Sequence, residues 1–188
     1  MDESSTLPRA GLTHFERLGL PRRFALDARE LERNYLARSR ESHPDFHRMA
    51  SSAEQRRTLE QSAALNEAYA TLREPFRRAD YLLQLEGGPS AAEHKEMAPA
   101  FLEEMLELRM EIEELRESGG RDSPGVAKME RKLVERRDKL IDDLARRFAH
   151  VESLPAETKE RGGQLLQVRQ SLNAAKYIQG LLRDLRAD

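Results

Sequence analysis

Apolar residues recur along this chain at spacings of three and four, in runs separated by short polar stretches containing Pro, Gly and Ser, which predicts an all-α protein. Residues 1–10 are polar, with Ser4, Ser5 and Pro8, and are expected to form a loose tail. Thr13 caps a short helix carrying Phe15, Leu18 and Leu20, which Gly19 and Pro21 interrupt. Asp27, with Glu30 three positions on, starts a helix that runs to about Glu41 and buries Leu31, Tyr35 and Leu36. Its other face carries Arg29, Arg33, Arg38 and Arg40, and such a charge run is by itself usually a solvated surface. The run ends at Ser42-His43-Pro44-Asp45-Phe46. Pro44 fixes its own φ and pushes His43 out of the α region, so the helix stops there and an imidazole and a carboxylate are displayed at a turn. Ser51 or Ser52 then caps a long helix with Glu54 in its first turn and Leu59, Ala63, Leu65, Ala68, Tyr69 and Leu72 at helical spacing, closed by Pro75. The two helices flanking the loop form an antiparallel hairpin, and a short helix from Phe76 to Leu85 brings Tyr81, Leu82 and Leu83 back onto it.

Gly87-Gly88-Pro89-Ser90 is the clearest break in the chain and is read as the domain boundary. Three long helices follow. The first starts near Pro99 and carries Phe101, Met105, Leu108, Ile112 and Leu115 up to Gly119-Gly120. Ser123-Pro124 restarts a helix with Val126, Met129, Leu133, Leu140, Leu144 and Phe148 on one face. Beyond Pro155 the last helix carries Leu165, Val168, Leu172, Ala175, Leu182 and Leu185, with Gly162-Gly163 expected to fray or delay its start. None of the three can bury its stripe alone, so an antiparallel three-helix bundle is expected. Leu102, Leu106 and Met110 lie on another line of the first helix, rotated by about 100° per residue, and either widen the core face or form an exposed apolar strip. Glu103, Glu107 and Glu114 border that line.

Composition narrows the class of function. The 188 residues suffice for one ordinary domain or two small ones, and the absence of cysteine excludes disulfides, thiolate metal sites and cysteine nucleophiles. Charged residues make up 35% of the chain but nearly cancel, to a net charge of -2, which argues against a global nucleic-acid binder. No apolar run approaches the roughly 20 residues needed to span a bilayer, and Met1–Ala10 lacks a signal-peptide pattern, so the expected location is the cytoplasm, away from membranes.

The His43-Pro44-Asp45 loop, the segment Leu65-Asn66-Glu67-Ala68-Tyr69-Ala70-Thr71-Leu72, Pro75 and the run Arg78-Ala79-Asp80-Tyr81 together resemble a J-domain, the module by which co-chaperones engage DnaK-type ATPases. Phe101-Leu102-Glu103-Glu104-Met105-Leu106-Glu107-Leu108-Arg109, with Arg78-Ala79-Asp80-Tyr81-Leu82-Leu83, resembles the HscB co-chaperones of iron-sulfur cluster assembly. The resemblance implies a tail over 1–10, a J-domain over 11–86, a linker over 87–96 and a scaffold-binding bundle over 97–188. It implies that His43, Pro44 and Asp45 touch the ATPase domain of a DnaK/HscA-type chaperone, with Arg33, Arg38 and Arg40 supplying a matching charged surface. It further implies that Leu102, Glu103, Leu106, Glu107, Met110, Glu114 and Tyr177 hold an IscU-like cluster scaffold. On this reading the chain is a cofactor-free activator of its partner's ATPase, itself no enzyme, and it has no phosphate-cradling glycine loop.

The chain departs from these families in places. Ser42 stands where J-domains place an aromatic residue, and Phe46 where they place a lysine. Glu103 and Met110 exchange the apolar and acidic characters usual in bacterial relatives. A catalytic reading of His43 and Asp45 lacks a nucleophile and a pocket, and a metal site from His43, Asp45 and His47 is opposed by Pro44, with His14, His94 and His150 scattered elsewhere. The alternatives that stay open are a J-domain co-chaperone for another client, and a helical scaffold-binding protein without ATPase stimulation.

Overall fold

A computed structural model describes residues 11–41, 51–119 and 123–186. Among the described residues there are seven helices and no strand, and the chain divides into two compact units, residues 1–78 and 79–188. The His43-Pro44-Asp45 loop with Ser42, Phe46 and His47, and the 1–10 segment, lie outside the described residues.

The first unit is built on α1 (His14–Leu18), α2 (Ala28–Glu41) and α3 (Ser52–Arg73). Thr13 and Glu16 form a reciprocal capping box at the start of α1, and Ser51 and Glu54 form one at the start of α3. At the head of α2, Asp27 Oδ1 accepts from the Arg29 N–H at 2.8 Å. Gly19 closes α1 in the left-handed region at φ 63°, and a Cβ there would come 2.5 Å from Arg38 Nη2. That close approach lets α2 cap the carbonyl end of α1. Asn34 Nδ2 donates to Leu18 O at 3.0 Å, and Arg38 Nη1 donates to Arg17 O at 2.5 Å. Tyr35 stacks on Tyr69 with ring centroids 4.1 Å apart, and its hydroxyl donates to Asn66 Oδ1 at 2.9 Å, pairing α2 with α3.

Two expected core leucines are displaced. Leu36 and Leu59 are 47% and 58% exposed, and Ala63 is exposed with them. At about 100° per residue, Leu31, Tyr35 and Arg38 share one face of α2, so Arg38 takes the core-side position that Leu36 was expected to fill. On α3 the same phase aligns Thr58 with Leu65, Ala68 and Leu72, and Thr58 is buried because its hydroxyl donates to Glu54 O at 3.0 Å.

α4 (Pro75–Leu85) spans the division between the units, and from Ala79 onward its residues belong to the second. Leu82 and Leu83 are buried and Tyr81 is half-buried. The second unit is a three-helix bundle of α5 (Pro99–Gly119), α6 (Pro124–Ser153) and α7 (Lys159–Arg186). Cross-helix partners give its directions. Glu130 with Arg186, Asp143 with Ser171 and Arg147 with Gln167 run α6 antiparallel to α7. Glu104 with Arg136 and Leu115 against Gly125 run α5 antiparallel to α6. Met105, Leu108 and Ile112 of α5 pack with Val126, Met129 and Leu133 of α6 and with Ile178, Leu181, Leu182 and Leu185 of α7. Ser123 caps α6 with Pro124 at its first position. α7 starts at Lys159 in spite of Gly162 and Gly163, because the Thr158 hydroxyl accepts from the Arg161 N–H at 3.3 Å and Arg161 reaches Glu86 and the Val151 and Leu154 carbonyls.

The segment between α4 and α5 is tied to α7 by two buried polar residues absent from the periodicity. Arg169 is fully buried; its Nε donates to Pro89 O at 3.0 Å and its Nη2 to Asp80. Asn173 Nδ2 donates to His94 O at 2.8 Å.

Candidate partner-binding surfaces

Two surfaces present the residues singled out from the sequence. On α2, Arg29, Arg33 and Arg40 are exposed and share a face, with the Arg33 guanidinium 4.0 Å from Glu30. The exposed Leu36 sits among them, so this face is basic with an apolar centre. Arg38 is not part of it. Its guanidinium is committed to the end of α1, a structural duty that follows from its position seven residues after Leu31. His43, Pro44 and Asp45, to which this helix leads, lie outside the described residues.

The second surface is on α5 and α7. The core stripe of α5 is satisfied by Met105, Leu108 and Ile112, all 5% exposed or less, while Leu102, Leu106 and Met110 are 40%, 61% and 61% exposed. They form a strip outside the core rather than a widening of it. Glu103, Glu107 and Glu114 are exposed on the same helix. Across a shallow groove stands Tyr177 of α7, itself 43% exposed. It is braced from below by Phe101, whose ring meets it edge-on at 5.6 Å and 82°. Phe101 in turn lies under the Arg136 guanidinium, 5.8 Å from its centroid, and Arg136 is paired bidentately with Glu104. The hydrogen bond from Arg136 holds the Glu104 carboxyl below its ordinary pKa, so that pair stays charged.

Sequence reasoning placed Leu102, Leu106 and Tyr177 on one surface, and all three line the groove. Arg109, Lys176, Gly180 and Arg183 line it too and were missed. Lys176, Gly180 and Arg183 follow one another on α7 at spacings of four and three, so the signal was this line running beside Tyr177. Arg109 is held at the groove by Asp184 at 2.6 Å. Among the described residues no three His, Asp or Glu side chains converge as metal ligands, and no helix is long and apolar enough to cross a membrane.

Residues 97–186 match the family of the HscB C-terminal oligomerisation domain. The chain is similar to the chaperone HscB from Vibrio cholerae at 27% identity and a TM-score of 0.78, over 93% of this chain and 96% of that one. It shares the fold of the human co-chaperone protein HscB, at 22% identity and a TM-score of 0.78, over 95% of this chain and 83% of that one.

Proposed function

We propose that this chain, a co-chaperone of the HscB type, raises the ATP hydrolysis rate of a DnaK/HscA-type chaperone and delivers an IscU-like iron-sulfur cluster scaffold to it, in the cytoplasm. The observation that carries the delivery half is the strip of Leu102, Leu106 and Met110, left out of a complete core and edged by Glu103, Glu107 and Glu114. Exposed apolar residues of this size in a row leave much of their surface in water and gain by being covered. Tyr177, braced by Phe101, supplies a rigid aromatic anchor across the groove at little cost in side-chain entropy.

The activating half rests on the resemblance of His43-Pro44-Asp45 to the J-domain loop and on the basic face of Arg33 and Arg40 that leads to it. This face attracts an acidic patch on the ATPase domain and speeds encounter, while Leu36 at its centre gives the contact an apolar core. The phosphoryl chemistry takes place in the chaperone; this chain contributes contacts that favour the hydrolysing conformation. It needs no cofactor for that task.

The test is the steady-state ATPase rate of the cognate chaperone, with and without this chain, each with and without the scaffold. Synergistic stimulation removed by His43→Gln is the expected result. Stimulation indifferent to the scaffold would overturn the client assignment, and no stimulation would overturn the activating role.

A further inference from the structure

Gly180 lies in the interior of α7, where glycine weakens a helix relative to alanine. Nothing in the fold requires it. Its φ is not positive, and a Cβ added there would meet no atom within 4 Å. The open space beside it belongs to the groove whose walls include Leu102, Leu106 and Tyr177. Gly180 is therefore a notch in the α7 wall, kept at the expense of helix stability.

Charge gives the notch a direction. Lys176 and Arg183 flank Gly180 on the same groove and both are exposed, the Arg183 side chain at 81%. Across the groove, the charged residue that α5 contributes is Arg109, paired with Asp184 at 2.6 Å. The groove thus has an apolar floor of Leu102, Met105, Leu106 and Leu181, and the charged side chains that line it, Lys176 and Arg183 from α7 and Arg109 from α5, are all basic.

The geometry points to an aliphatic side chain of the scaffold seated over Gly180, with a neighbouring scaffold carboxylate between Lys176 and Arg183. This rests on the docking of the scaffold at α5 and names the chemistry it presents there. A carboxylate on that segment is attracted by Lys176 and Arg183, the two exposed cations that flank the notch, while Arg109 is already paired with Asp184. The notch fixes how close the segment comes to α7.

Calorimetric titration of the purified IscU-like scaffold into the full chain tests this. Gly180→Ala is expected to raise the melting temperature by about 2–4 °C and yet weaken scaffold binding about tenfold, two effects that a merely structural glycine would not combine. Lys176→Glu with Arg183→Glu is expected to weaken binding about tenfold or more at low ionic strength, with the loss shrinking as salt is raised. If Gly180→Ala bound as wild type while Leu106→Ala bound weakly, the notch would be overturned and the docking surface would stand. A lowered melting temperature for Gly180→Ala would show a packed position and overturn it as well. Charge reversal without effect would overturn the carboxylate, and a wild-type chain that failed to bind the scaffold would overturn both the docking reading and this one.

Discussion

Replacing Leu102 and Leu106 together by alanine separates a binding strip from a core, because the two readings predict opposite balances of stability and affinity. Full burial of a leucine side chain is worth about 1.5–3 kcal/mol. With Leu102 40% and Leu106 61% exposed, the part already buried accounts for about 1 kcal/mol each, or about 2 kcal/mol for the pair. For a chain of this size that lowers the melting temperature by about 4–8 °C. The exposed part, once covered by the scaffold, is worth about 1–1.5 kcal/mol per leucine, so the pair should weaken scaffold binding about 30- to 150-fold. Circular dichroism melts and calorimetric titration of the scaffold measure both quantities on one preparation, and chaperone stimulation without scaffold serves as a control expected to be unchanged. Core leucines cost about 2–5 kcal/mol each when truncated. A melting temperature lowered by well over 10 °C with scaffold affinity intact would therefore place both residues in the core and refute the strip.

The other perturbations act on different parts of the molecule. Arg33→Glu with Arg40→Glu should weaken chaperone stimulation most at low salt and leave thermal stability nearly unchanged, while Arg38→Ala should cost about 1–3 kcal/mol of stability, since it removes a charged hydrogen bond from the end of α1; ATPase titrations and melts tell them apart. Arg169→Ala should cost about 3–5 kcal/mol in urea unfolding, and Arg169→Met distinctly less, because the apolar replacement fills the site and leaves Asp80, 41% exposed, to water. His14 is half-buried, and burial pulls its pKa below the usual 6.5 against a raising influence from Glu67. The unfolded chain then binds the proton more tightly, so this contribution to stability is present above pH 6.5 and is lost as pH falls through the lowered folded value. His14→Gln should flatten that part of the stability profile measured by melts between about pH 8 and pH 5.

Helix starts and stops were legible because they are local. Thr13, Ser51 and Ser123 each carry their own capping partner within three residues, and no distant part of the chain is needed to form the cap. Helical phase was harder to read. Hydrophobicity puts Leu36 on the buried face of α2 and Arg38 on the basic one, yet Arg38 has the phase of Leu31, and a guanidinium can occupy that face when helix-end carbonyls receive it. Arg169 and Asn173 were not legible, since their partners Asp80, Pro89 and His94 lie some eighty positions away and nothing local marks the pairing. Leu102 and Leu106 were ambiguous in principle: the same spacing serves a wide core or a surface strip, and the answer depends on how much of the core the other two helices already fill.

Each candidate surface rests on its own packing, and this bears on how scaffold and chaperone could act together. The basic face of α2 is held by Leu31 and the Tyr35–Tyr69 stack, while the α5–α7 groove is held by Met105, Leu108 and Ile112 against α6 and α7. On the proposed reading, synergy then requires no signal passed through a shared core. A scaffold held in the groove while the J-domain loop engages the chaperone is presented at an effective concentration on the order of mM, so even weak recognition of the scaffold by the chaperone becomes saturating. The groove needs only enough affinity to keep the scaffold on while the chaperone turns over, and exposed apolar side chains beside the cations Lys176 and Arg183 are suited to that: moderate in grip and reversible.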